Sequence, residues 1–306
     1  MQGYYRKINE IMKLNIKGII LGLLGALIIT PDTLFMKLSK FGPYEMLSWR
    51  GLETAIILFF VWYFISKNRK FDFLNSIKLN GIIASLLIGI GGISFTYAIS
   101  VSLVSIVLFA LAFSPFVSAF FSYYILREKI SKFSLFFLFT ALVGISIAVL
   151  DIKSLDLNIN NNNIKGCFLG LFTAFTLGIS LVLFRSDKSL PVMLINSYGG
   201  FIAGISGLIY LLFNNNVINL LNGKIFFISI SGFIIIPLSF FLLTYSTRFT
   251  SATNISLFLL LETILGPIWI WFFIGEKLSK NQIFGGILVI LSIISFILKS
   301  KNYETK

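Results

Sequence analysis

The sequence predicts an all-α membrane protein of ten transmembrane helices, arranged as two inverted five-helix repeats with both termini cytoplasmic. Three observations predict it. The 306 residues are 57% hydrophobic and only 12% charged, with a mean hydropathy of +0.93, whereas a soluble domain is nearer a quarter charged. The apolar residues fall into ten continuous runs, each near the ~20 residues a bilayer-spanning helix needs. Several stretches recur at one fixed offset of 148 residues.

Span 1 (17–37) follows Arg6, Lys7, Lys13 and Lys17. A cleaved signal peptide would share that pattern, but the run is too long, Pro31-Asp32 is no typical cleavage site, and the run has a twin in mid-chain. Span 2 (44–65) opens on MLSWRGLET, so Arg50 and Glu53 head the apolar stretch AIILFFVWYFI. Spans 3 (79–98) and 4 (103–125) are joined by a short uncharged link. Span 5 (133–150) follows the basic link LREKISK. The polar, Asn-rich DIKSLDLNINNNNIKG (151–166) reads as a flexible loop; its NNNN run holds no glycosylation sequon. Spans 6 (166–185), 7 (190–212), 8 (225–246) and 9 (252–274) follow with short links, and span 10 (281–298) closes the set. The runs are continuous, whereas membrane strands would alternate over about ten residues.

Charge sets the orientation. With the N-terminus inside, 17 Lys and Arg fall on the cytoplasmic side and seven outside, with Arg50 inside span 2; positive residues accumulate in cytoplasmic links. The same distribution makes the net charge of +13 a topological signal, not a nucleic-acid surface. The sequence contains no His and one Cys, Cys167. No disulfide forms within the chain, and the commonest metal ligand and acid–base group is missing.

The repeat is legible in three stretches. IKGIILGLLGA (16–26) and IKGCFLGLFTA (164–174) share seven of eleven positions. LREKISK (126–132) matches IGEKLSK (274–280), and Thr96-Tyr97 matches Thr244-Tyr245, all at the offset of 148. A duplicated unit of five helices enters the membrane from opposite sides, the architecture of many secondary transporters. The EK links then fall on opposite faces, which strains the positive-inside rule.

AFSPFVSAFFSYYILREKISKFSLFFLFTALVGISIAVL (112–150) and LLLETILGPIWIWFFIGEKLSKNQIFGGILVILSIIS (259–295) resemble the ends of two EamA-type repeats of the drug/metabolite transporter superfamily. TPDTLFMKLSKFGPYEMLSWRG (30–51) is similar to that family's segment between helices 1 and 2, where an Arg often starts helix 2. The resemblance covers nearly the whole chain and sets the repeats at 14–151 and 164–299. It implies ten helices, a central cavity that faces alternate sides, and export or exchange of small metabolites. Arg50 corresponds to Tyr198 in the second copy, so a symmetric arginine clamp is excluded.

An ionisable side chain at mid-membrane costs about 2.5–3.5 kcal/mol on insertion scales and therefore faces the bundle interior and pairs. Four qualify: Asp32, Arg50, Glu53 and Glu262. Arg50 lies roughly 10 Å into span 2 at 1.5 Å per residue, Asp32 at a similar depth in span 1, and Glu53 one turn beyond Arg50 on the same face. A charged trio lining a watery cavity is one reading. The other is that Arg50 snorkels to the headgroups or locks helices 1 and 2 together. Glu262 is the deepest carboxylate, with no Lys or Arg within a turn along the chain. It suits a proton-coupling group, or a protonated side chain bonded to a neighbouring helix. Tyr97 and Tyr245 are repeat mates, candidates for the cavity wall or for an interfacial belt. Pro31, Pro115, Pro237 and Pro267 are kink candidates. Glu128 and Glu276, in the EK links, are candidate caps or gates.

These readings favour a secondary transporter of a small metabolite, amino acid-like or another small organic solute, exporting or exchanging it by alternating access. The alternative is a non-transporting or lipid-handling membrane partner subunit. No nucleophile or metal-ligand motif points to an enzyme, and no stretch resembles a selectivity filter. The expected setting is multi-pass in the cell (inner) membrane. The expected partners are a small-molecule substrate, the lipid bilayer and, as an open option, protons. A monomer or homodimer is expected, with no nucleic acid, metal or cofactor.

Overall fold

The computed structural model describes residues 2–128, 161–214, 220–275 and 280–303, with isolated positions between 135 and 147. Among them are thirteen α-helices and no strand. They are α1 (Gln2–Ile29), α2 (Asp32–Ser39), α3 (Pro43–Ile65), α4 (Arg69–Ser76), α5 (Leu79–Val101), α6 (Val104–Leu111) and α7 (Ser114–Phe121), followed by α8 (Asn161–Ser186), α9 (Val192–Phe213), α10 (Ile225–Ile230), α11 (Ile236–Ser246), α12 (Ala252–Ile274) and α13 (Lys280–Tyr303). Two π-helical segments, Ser122–Leu126 and Ser231–Ile235, continue α7 and join α10 to α11. Eight segments among the described residues are long and apolar enough to cross a bilayer. They correspond to spans 1–4 and 6–9. Span 5 lies, apart from isolated positions, outside the described residues, as does Glu276.

The loop expected over 151–166 needs correction at its end, because α8 already begins at Asn161. A helix satisfies its own backbone, so nothing obliges it to stop where the apolar window stops. Three of the spans that hold kink-candidate prolines are interrupted. Span 1 breaks between α1 and α2 at Pro31, span 4 between α6 and α7 just before Pro115, and span 8 passes through a π-helical segment just before Pro237. Proline removes the amide that would bond the carbonyl four residues back. At Pro31 that carbonyl, Leu27 O, accepts instead from the Thr30 amide at 3.3 Å and the Thr30 hydroxyl at 2.9 Å. By contrast, α12 continues helically through Pro267.

The helices pack in a pattern that survives exchange of the two repeats. α3 lies along α9, its counterpart. α5 packs on α8 as α11 packs on α1; α6 and α7 pack on α8 as α12 packs on α1; and α12 packs on α6 and α7. The α3–α9 seam brings two long helices together backbone to backbone. A Cβ on Gly204 would sit 2.6 Å from the Leu52 amide nitrogen, and one on Gly200 2.9 Å from Gly51 O. Small residues let membrane helices meet backbone to backbone where lipid supplies no hydrophobic push. Phe59, Phe60, Phe64, Phe120, Phe213 and Phe272 stand exposed on the outside, as suits a surface solvated by lipid.

Candidate functional site

Where the paired repeats meet, a cavity of about 110 Å³ opens, with wall residues from all eight described spans. Its walls are mainly apolar, set by residues such as Leu47, Ile88, Phe95, Leu177, Phe240 and Leu259. Two charged side chains reach it: Arg50 from α3 and Glu262 from α12. Hydroxyl and amide groups complete the lining, including Thr54, Thr96, Thr173, Thr176, Ser180 and Asn196.

Arg50 is held in three directions. Its Nη2 pairs with the wholly buried Asp32 carboxylate, its Nη1 donates to Thr96 Oγ1 at 3.0 Å, and its Nε donates to Ser231 Oγ at 3.3 Å. The guanidinium also lies 5.6 Å from the Phe95 ring centroid. Asp32 opens α2, where the helix N-terminus favours an anion, and its other oxygen accepts from the Ser231 hydroxyl. The fork-shaped, permanently charged guanidinium suits this arrangement as an ammonium would not. Arg50 therefore does both things left open by the sequence: it locks span 1 to span 2, and it lines the cavity.

Glu53 does not join the pair. It points to the π-helical side of span 8, where its Oε1 accepts from Ser229 Oγ at 2.5 Å. Its Oε2 finds no hydrogen-bond donor among the described residues, although the residue is only 4% exposed. The expected trio is thus a pair plus a separate carboxyl. Glu262 is 2% exposed, and its Oε1 likewise has no donor among the described residues. It lies within electrostatic reach of Asp32 and Arg50 without touching either.

The tyrosine candidates fall elsewhere, with neither in the cavity wall. Tyr97 packs edge-on to Tyr44 at 6.0 Å, and Tyr44 stacks on Tyr210 at 3.5 Å. Tyr245 stacks on Phe241 and sits under Arg248. The kink candidates Pro31, Pro115, Pro237 and Pro267 also lie outside the wall; Pro31 acts by placing Asp32 at a fresh helix start. Glu128 pairs with Arg185 at 3.1 Å, and neither lines the cavity. Among the described residues no cluster of three or more Asp, Glu, His or Cys is positioned to hold a metal.

A family model described as the EamA-like transporter family matches residues 16–150 and again 164–298. The chain belongs to the EamA-like transporter family. No curated protein matches it. A solved crystal structure of a protein, one of 28 chains that match, superposes with a TM-score of 0.70 at 11% identity, covering 90% of this chain and 94% of its own. At that identity the likeness shows the fold alone.

In this EamA-like transporter the repeated Thr-Tyr pair carries its signal in the threonine. Thr96 accepts from Arg50 on α3, and Thr244 accepts from Asn196 Nδ2 on α9 at 3.0 Å. Each repeat therefore tethers a polar side chain of the central α3–α9 pair to the same threonine. Sequence reasoning missed Asn196, Ser229 and Ser231, because a lone Ser or Asn in an apolar run carries no pattern. Thr96 and Thr244 were findable, since they repeat in register. The charges obey no such symmetry: 148 residues from Asp32 stands Ser180, and from Glu262 stands Ser114.

Proposed function

We propose that this EamA-like transporter is a secondary active transporter that carries a small organic solute, amino acid-like or of similar size, by alternating access. In this reading the solute occupies the central cavity. The supporting observation is the cavity itself, lined by eight membrane-spanning segments and by two charged side chains, an unpaired carboxyl, Glu262, and a guanidinium, Arg50, already paired with Asp32. A site buried in an apolar bundle keeps such groups where they meet something polar that comes and goes. The swap-symmetric packing supports two states related by exchanging the repeats. The full reading has ten spans, with 133–150 as the fifth, both termini cytoplasmic, and the cell (inner) membrane as its place. Glu262 is the group that meets the solute in the cavity.

The test is an untargeted comparison of solutes inside and outside cells that express the wild type or Glu262→Gln at equal membrane levels. The expected result is one solute class displaced across the membrane by the wild type only. Equal displacement by both proteins would remove Glu262 from the mechanism. No displacement by either would favour a non-transporting partner subunit.

A further inference from the structure

The structure assigns Glu53 as the binding site for a coupling monovalent cation, H⁺ or Na⁺, separate from the solute cavity and linked to it through the π-helical segment Ser231–Ile235. This rests on the transport reading above and divides its labour between two carboxylates.

Apart from Glu45 in the first turn of α3, the buried carboxylates among the described residues are Asp32, Glu53 and Glu262, and the buried guanidinium is Arg50. Arg50 pairs with Asp32. Two carboxylates remain without a cation, and an ionised group in a low-dielectric interior needs a counter-charge. Glu262 faces the cavity, where a solute can supply it. Glu53 does not line the cavity, so whatever neutralises it is not the solute.

The surroundings of Glu53 fit that task. The elements packed against α3 are α5, α9, α10, α11 and the π-helical segment, and α4 reaches it through the Trp62–Asp72 hydrogen bond. Their ionisable groups are Arg69, Lys70 and Asp72 on α4, Tyr97 on α5, Tyr198 and Tyr210 on α9, and Tyr245 on α11. α3 itself adds Tyr44, Glu45, Arg50 and Tyr63, and α2 adds Asp32 and Lys37. Glu53 forms an ion pair with none of them among the described residues. Its one bond comes from Ser229, a hydroxyl that can rotate to present its oxygen to a cation. The orphan Oε2 lies against Gly232, where a side chain of any size would collide with it. Glycine there keeps the space beside the carboxyl open.

The link to the cavity is a short run of chain. Ser229, Ser231 and Gly232 are within four residues of each other. Ser229 holds Glu53, Ser231 bonds both Asp32 and Arg50, and the Gly232 carbonyl accepts from Thr54 Oγ1 at 3.0 Å. Arg50 and Thr54 both line the cavity. π-Helical turns lack the regular ladder and occur often at functional sites. A cation that takes Ser229 or Glu53 therefore alters the segment that also holds the cavity's guanidinium.

The experiment measures binding, not transport. The unfolding temperature of purified protein in detergent is followed across a Na⁺ series at fixed pH, with N-methylglucamine keeping ionic strength constant, and across a pH series without Na⁺. Wild type, Glu53→Gln, Glu262→Gln and Ser229→Ala are compared. The expected result is a wild-type shift with one of the two cations that Glu53→Gln abolishes, Ser229→Ala weakens about tenfold in midpoint, and Glu262→Gln retains. Which series responds names the ion. A Glu53→Gln protein with the wild-type response overturns the proposal, as does a response lost only in Glu262→Gln, or none in the wild type. If Glu53→Gln does not fold, Ser229→Ala decides, and an unchanged midpoint there is the overturning result. A Glu53-dependent shift without solute flux would leave this site standing and remove the transport reading instead.

Discussion

At the residue scale, Arg50 is held in its place by partners, not by its own preference. A guanidinium in an apolar span is tolerated because Asp32, Ser231 and Thr96 take its N–H groups in three directions. Removing one partner of a buried pair leaves an uncompensated charge and costs about 3–5 kcal/mol. Asp32→Asn and Arg50→Met are each expected to destabilise by about that amount, while the double variant recovers most of the loss. Denaturant unfolding of the four proteins in detergent measures the cycle, and additive losses would show that the pair is not coupled. Arg50→Lys is not expected to rescue, since an ammonium cannot present the fork that three partners require. The four charged candidates were legible because charge in a greasy run is conspicuous. Their grouping was not. Arg50 and Glu53 share a helix face in sequence, yet Ser229 and Ser231, more than 170 residues away, sort them into different company.

At the element scale, the bundle depends on where helices touch and where they stand apart. Gly204 meets Leu52 backbone to backbone, whereas a Cβ on Gly92 would find only Ala203 Cβ, at 3.7 Å. The first leaves no room for a methyl group and the second is ordinary contact. Gly204→Ala is expected to pry α3 from α9 and cost about 1–3 kcal/mol, the usual range for overpacking. Gly92→Ala is expected to unfold within about 0.5 kcal/mol of wild type yet narrow the cavity it lines, which weakens solute flux. Unfolding and flux, measured on both variants, separate the two effects, and equal loss of stability would contradict the geometry. Span existence followed from continuous apolar runs, because length and hydropathy alone set them. The breaks at Pro31 and Pro115 were marked by proline, but proline at 267 produces no break. Sequence does not distinguish those cases, since neighbouring packing decides whether a helix re-forms after the lost hydrogen bond.

At the scale of the whole molecule, the repeat places two cations in corresponding roles. Lys37 ends α2 and reaches the Ser102 carbonyl at 3.4 Å. Arg185 stands 148 residues on, ends α8, and reaches the Thr247 carbonyl at 3.1 Å while pairing with Glu128. Each grips the turn that follows the third span of its own repeat. The Arg185–Glu128 pair is partly exposed, and such pairs contribute about 0.2–1 kcal/mol. That is little for folding, but a two-state balance responds to 1 kcal/mol by about fivefold. If the two states interchange the repeats, the two cations bias it in opposite senses. With Cys167→Ser as background and Ser180→Cys as a reporter in the cavity wall, impermeant thiol reagents added to either side of sealed vesicles read the balance. Arg185→Gln is expected to raise labelling from one side by up to about fivefold, and Lys37→Gln to raise it from the other. Shifts in the same direction for both variants would break the symmetry argument, because exchange of the repeats must exchange their effects as well.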